Sequence, residues 1–147
     1  MNNSTLGMPE HLWKSILDTL IPATSNNHGA SEIIVIKELV TDMSYISDMK
    51  RLKLFLEEIP ENFSIIDQSA RESILENLGK ASPETLDALI NATYTIYYSH
   101  PAVLSKISEN TGYSTTAPQP NGYVLKPFDE RLLQKSKERS PMWKDPR

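Results

Sequence analysis

Apolar residues recur at helical spacing along the first three quarters of the chain, and short polar loops separate the periodic segments. In the first segment the apolar positions are four residues apart and form one stripe, and Pro9 stands at a favoured first-turn position. This pattern predicts a helix from about Pro9 to Leu20. The polar turn formers "PATSNNHGAS" end it. The residues of the stripe are Leu12, Trp13, Ile16, Leu17, Leu20 and Ile21.

The second periodic segment runs from Ser31 to Met43 and contains the run "IIVI". On propensity alone this run is a candidate for a buried strand. No second strand candidate exists in the sequence to pair with it. Apolar residues at positions 36, 39, 40 and 43 keep helical spacing, so a single helix is predicted over the segment.

Local start and stop signals delimit two further helices in the middle of the chain. Asp48 can cap a third helix, which Pro60 ends. Ser69 and Glu72 have the spacing of a capping box and predict the start of a short fourth helix. Gly79 lies where the C-terminal cap of that helix is expected.

The last periodic segments predict a fifth and a sixth helix. Ser82 followed by Pro83 and Glu84 is a strong start signal, and the fifth helix extends to the residue before Pro101. A sixth helix runs from Pro101 to about Asn110 and ends at Gly112. The apolar positions of the fifth helix are Leu86, Leu89, Ile90, Thr93, Tyr94 and Tyr97. Amphipathic helices joined by short loops predict an all-α bundle of five to six helices over residues 1–112.

Periodicity ends after Gly112, and residues 113–147 have a different composition. The last 30 residues hold five of the ten prolines together with several large apolar side chains. Disordered linkers are poor in such side chains, so an extended C-terminal arm that lies on a surface is predicted. That surface belongs either to another protein or to the chain's own bundle. The residues predicted to contact a partner are Tyr97, Tyr98, His100, Tyr113, Pro118, Pro120, Tyr123, Pro127, Phe128, Met142 and Trp143.

Charge divides the chain in the same way. Residues 1–121 carry 8 basic and 15 acidic side chains, whereas residues 122–147 carry 7 basic and 4 acidic ones. The net negative charge of residues 1–121 argues against nucleic-acid binding, which needs a continuous basic surface. No apolar run is long enough to span a bilayer, and the N-terminus has no export-signal pattern, so a cytoplasmic location is expected. A periplasmic location stays open if an N-terminal signal precedes this sequence.

Candidate catalytic chemistry is sparse. The chain has no cysteine, and His11, His28 and His100 lie far apart without a second ligand at metal spacing. Glu57 and Glu58 point around a helix rather than toward one site, and no glycine-rich phosphate loop is present. We therefore expect no catalytic, cofactor-binding or metal-binding residue in this chain, and no enzymatic activity of its own.

Three stretches resemble a known family. They are "LWKSILDTLIPAT", "TYTIYYSHPAVLSKISENTGY" and "PQPNGYVLKPFDERLLQKSKERSPMW". Together they are similar to the gluconate 2-dehydrogenase subunit 3 family, the small accessory subunits of FAD-dependent glucose-methanol-choline dehydrogenases. The resemblance covers both ends of the chain well and residues 43–80 poorly.

The resemblance implies a non-catalytic helical subunit in a hetero-oligomer with a large flavoprotein subunit that holds FAD. Exported members of the family supply a twin-arginine signal, which this sequence lacks, so the simpler expectation is a cytoplasmic two-subunit oxidoreductase. The residues alone leave open a function of another class, a stand-alone helical binding or adaptor domain with no oxidoreductase partner.

Overall fold

The computed structural model describes residues 5–46, 48–115 and 126–139 and confirms the all-α prediction. Those ranges contain helices and no strand, and two of the helices are short 3-10 turns, Glu61–Ser64 and Glu130–Leu133. The α-helices are α1 (Glu10–Leu20), α2 (Ala30–Ile33), α3 (Ile36–Ile46), α4 (Met49–Glu57), α5 (Gln68–Ala81), α6 (Pro83–Ser99), α7 (Pro101–Thr111) and α8 (Gln134–Lys137). The chain divides into two compact units, Met1–Thr115 and Thr116–Arg147. No helix within the described ranges is long and apolar enough to cross a membrane.

Helix α6 is the centre of the first unit. It packs against α1, α2, α3, α4, α5 and α7 through one buried face, and its other face is exposed. Trp13 of α1, Phe63 of the 3-10 turn and Leu89 of α6 are fully buried in this core. The indole N–H of Trp13 donates to the Thr5 carbonyl at 3.0 Å, which satisfies the only polar atom of that ring.

The predicted single helix from Ser31 to Met43 is wrong, because the structure breaks it into α2 and α3. Ile34 has an extended backbone (φ −89°, ψ 124°), and α3 begins at Ile36. Ile34 and Ile36 are buried, whereas Val35 between them is 55% exposed. Alternating burial is the pattern of an extended segment, which suits β-branched residues. The break lets both isoleucines reach the core.

The predicted start and end of the fourth helix are also wrong. Asp67, not Ser69, caps α5, and its side chain accepts from the Ala70 N–H at 2.9 Å. Gly79 lies inside α5, which continues to Ala81. A Cβ at position 79 would overlap the Cδ2 atom of Leu86 on α6. Gly79 therefore permits the close approach of α5 and α6 rather than ending a helix.

Other local signals are confirmed. The Asp48 side chain accepts from the Lys50 N–H at 2.9 Å and caps α4. Pro83 occupies the first turn of α6. Pro101 starts α7 shortly after α6 ends at Ser99. Gly112 ends α7 in the left-handed conformation with φ of 72°, a backbone that glycine adopts without steric cost.

Candidate functional site

Tyr97, predicted to contact a partner, lies in the core of the first unit instead. Its side chain is 2% exposed, and its hydroxyl donates to the His28 carbonyl at 2.5 Å. Burial raises the pKa of Tyr97, and the neighbouring Tyr98 and Glu32 raise it further. The physical reason is helical spacing, since Tyr97 follows the buried Leu89 and Thr93 at intervals of four residues on the inner face of α6. Tyr97 fastens the loop between α1 and α2 to α6 and is not accessible to another protein.

The loop held by Tyr97 carries an acid–imidazole pair. His28 Nδ1 lies 3.0 Å from the Glu32 carboxylate, and the Gly29 N–H donates to the same carboxylate at 3.3 Å. These hydrogen bonds, first from His28 and then from Gly29, lower the pKa of Glu32. Both side chains of the pair are about half exposed, so the pair is a loop contact with solvent on one side. Within the described ranges no group of three acidic or histidine side chains could hold a metal ion.

Tyr98 is on the accessible side of α6, as a partner-binding residue must be. It is 48% exposed, and its ring contacts the edges of two neighbours. The ring centroids of Tyr98 and Tyr97 are 5.1 Å apart at an interplanar angle of 88°, and those of Tyr98 and Tyr94 are 5.8 Å apart at 85°. These are favourable edge-to-face arrangements. Tyr94 is also exposed, although the sequence pattern assigned it to the apolar face of the helix.

His100 has a structural role at the junction of α6 and α7. Its Nδ1 atom accepts a hydrogen bond from the Ala102 N–H at 3.3 Å, so its side chain caps α7. Pro101 follows and has no N–H to satisfy, as is common in a first helical turn. The ring is half-buried. The sequence indicated the helix break correctly but not the capping function.

The remaining predicted contact residues fall into two groups. Tyr113 follows the end of α7 and is 75% exposed, and Pro127 and Phe128 are exposed in the second unit. Tyr113 N–H donates to the Thr111 hydroxyl at 3.2 Å, which fixes the backbone at that point. The other predictions lie outside the described residues, and they are Pro118, Pro120, Tyr123, Met142 and Trp143.

The described part of the second unit is a short capped helical segment. Asp129 accepts from the Arg131 N–H at 3.1 Å, and the Arg131 guanidinium binds both carboxylate oxygens. These hydrogen bonds, from the guanidinium first, lower the pKa of Asp129 and raise that of Arg131. Every described residue from 126 to 139 is exposed, including the large apolar Phe128, Leu132 and Leu133. The segment presents apolar side chains beside a local charge network.

Comparison of the chain with family models, with curated proteins and with solved structures gives no significant match. The candidate sites are therefore defined by the geometry above. It brings Tyr94, Tyr97 and Tyr98 together on α6 and shows a separate set of exposed apolar side chains in the C-terminal segment.

Proposed function

We propose that this chain is the non-catalytic small subunit of an FAD-dependent oxidoreductase of the glucose-methanol-choline type, and that its C-terminal segment docks on the large catalytic subunit. The observation that carries the proposal is the exposure of Phe128, Leu132 and Leu133 in the described residues 126–139, none of which is buried. The order of the three family-like sequence stretches supplies the identity of the partner. FAD belongs to the large subunit, and this chain assists its folding or stability.

The chemistry of the segment suits docking. Phe128 is 63% exposed, and a buried aromatic ring is the kind of side chain in which interface energy concentrates. The prolines of residues 113–147 reduce the conformational entropy lost on docking. Basic side chains such as Lys135 and Lys137 are exposed around the apolar ones, where charges steer association more than they add affinity.

The experiment is affinity purification of the tagged full-length chain from its own cells, followed by absorbance spectroscopy of the retained complex. We expect a large partner with a flavin spectrum, and no flavin on this chain alone. In binding measurements with that partner, Phe128→Ala and Trp143→Ala should each weaken association by about 2 kcal/mol. Lys135→Ala should weaken association less than these two substitutions, and mainly at low salt. Ile65→Ala, at an exposed residue of the first unit, is the matched control and should have no effect.

Three results would contradict the proposal. A retained partner without flavin would favour the stand-alone binding or adaptor domain. Flavin bound by this chain alone would remove the reason for a catalytic partner. A third is a large fall in the melting temperature of the isolated chain after deletion of residues 113–147, with no loss of partner binding, which would mean that the segment completes the chain's own core. We further propose that the complex is cytoplasmic, which fractionation of the tagged chain tests.

A further inference from the structure

An open groove of about 710 Å³ lies between α4, the C-terminal end of α5 and the first turn of α6. α4 and α5 both pack against α6, and the groove runs between them. Its apolar lining comes from all three helices, namely Leu54, Phe55, Leu78, Ala81 and Pro83.

Leu54 is the unusual residue of this groove. Leu52, Phe55 and Leu56 of α4 are buried and Met49 is partly buried, whereas Leu54 is 63% exposed. It stands three residues after Arg51 and four before Glu58, so the three side chains share one face of the helix. That face lines the groove. The apolar pattern of the sequence identified only the buried face of α4.

Charge distinguishes the two ends of the groove. At one end Arg51 donates to the Glu84 carboxylate at 3.0 Å, so both charges have a partner. Two turns along α4, about 10 Å away, Glu58 lines the other end. Within the described ranges Glu58 forms no ion pair. The groove therefore has an apolar stretch at Leu54 and Leu78, a paired charge cluster at one end and the unpaired Glu58 at the other, and Ser82 and Thr85 also line it.

We propose that this groove binds an amphipathic α-helix of a partner protein, which presents large apolar side chains to Leu54 and Leu78 and a lysine or arginine to Glu58. A helix is the fitting occupant because the walls are themselves helices, whose side-chain ridges leave grooves for a further helix. Strand addition needs a sheet edge, and the described ranges contain no strand. The surface is distinct from the C-terminal segment and does not depend on the proposed flavoprotein.

The test is a selection of displayed helical peptides on the immobilised full-length chain. The library randomises apolar residues along one helical face and a charged residue at each end. We expect enriched peptides to carry large apolar residues at i, i+4 and i+7 and a basic residue at one end. Their affinity should fall at least about tenfold for the Leu54→Asp chain, as for a central apolar contact. Ile65→Asp, at an exposed apolar residue that does not line the groove, should leave binding unchanged.

A charge reversal tests the orientation. Glu58→Lys should lower the affinity for the basic peptide by up to about fivefold at low salt. It should raise the affinity for the same peptide with a terminal glutamate in place of the basic residue. Circular dichroism checks that each variant is folded. If Leu54→Asp is not folded, Leu54→Ala and Glu58→Lys decide the question.

Several outcomes would overturn the proposal. These are a selection that yields no binder, peptides whose affinity is unchanged by substitution of both Leu54 and Glu58, and enriched peptides that are proline-rich and extended. A dimer in sedimentation equilibrium that Leu54→Asp dissociates would show that a second copy fills it.

Discussion

Gly79→Ala should destabilise the protein, although alanine is the better helix former. In the interior of a helix this substitution adds about 1 kcal/mol of stability. At position 79, however, the new methyl group would overlap Leu86 Cδ2, with Leu86 Cγ only 3.4 Å away. Overpacking of this kind costs about 2 kcal/mol. The balance is a loss of about 1 kcal/mol in the free energy of unfolding.

The assay is urea denaturation followed by far-UV circular dichroism, with unchanged m-values required for comparison. Leu86→Ala removes the overlapping atoms, so in that background Gly79→Ala should become stabilising by about 1 kcal/mol. The pair Ser73→Gly and Ser73→Ala, at an exposed site of α5, measures the helix preference alone. If Gly79→Ala stabilises the otherwise unchanged protein as much as this pair predicts, the Leu86 side chain moves aside at little cost, and the argument that it opposes a larger residue at position 79 is refuted.

Three further changes test other contacts. Tyr97→Phe leaves the His28 carbonyl without its donor and should lower the free energy of unfolding by about 1 kcal/mol in urea melts, whereas Tyr98→Phe should be neutral. Gly112→Ala should cost about 1 kcal/mol in thermal melts because alanine disfavours a φ of 72°. The lowered pKa of Glu32 contributes stability that is present above the ordinary carboxyl value of 4.5 and is lost as the pH falls through the folded-state pKa. Glu32→Gln should flatten that part of the pH profile of urea midpoints, and an unchanged profile would contradict it.

The candidate contact residues were predicted from residue type and spacing, and the structure shows which of those it describes are accessible. Aromatic residues and the end of helical periodicity predicted partner contacts in three places. These are α6, its junction with α7 and the C-terminal segment. The apolar spacing of α6 included Tyr97 and left out Tyr98, and the structure has Tyr97 buried and Tyr98 exposed outside the one buried stripe. Tyr97 points to the loop at His28, and Tyr94, assigned to the core by spacing, is exposed.

The sequence by itself determined the all-α class, the approximate bounds of α1, α6 and α7, and the start of α4. These depend on interactions within a few residues, such as the Asp48 side chain with the Lys50 N–H, or a proline without a donor at position 101. Gly112 ends α7 for an equally local reason, since its backbone conformation is open to glycine at no cost.

Only the tertiary structure decided the features that depend on distant partners. The "IIVI" run is broken because Ile34 and Ile36 both find space in the core, which outweighs the helical preference of their neighbours. Glycine is the residue type typical of a helix C-cap, but Gly79 lies inside α5, where its missing side chain leaves room for Leu86. The groove beside Leu54 exists because α4 and α5 both pack on α6 with space between them, and no local pattern in either helix encodes that separation.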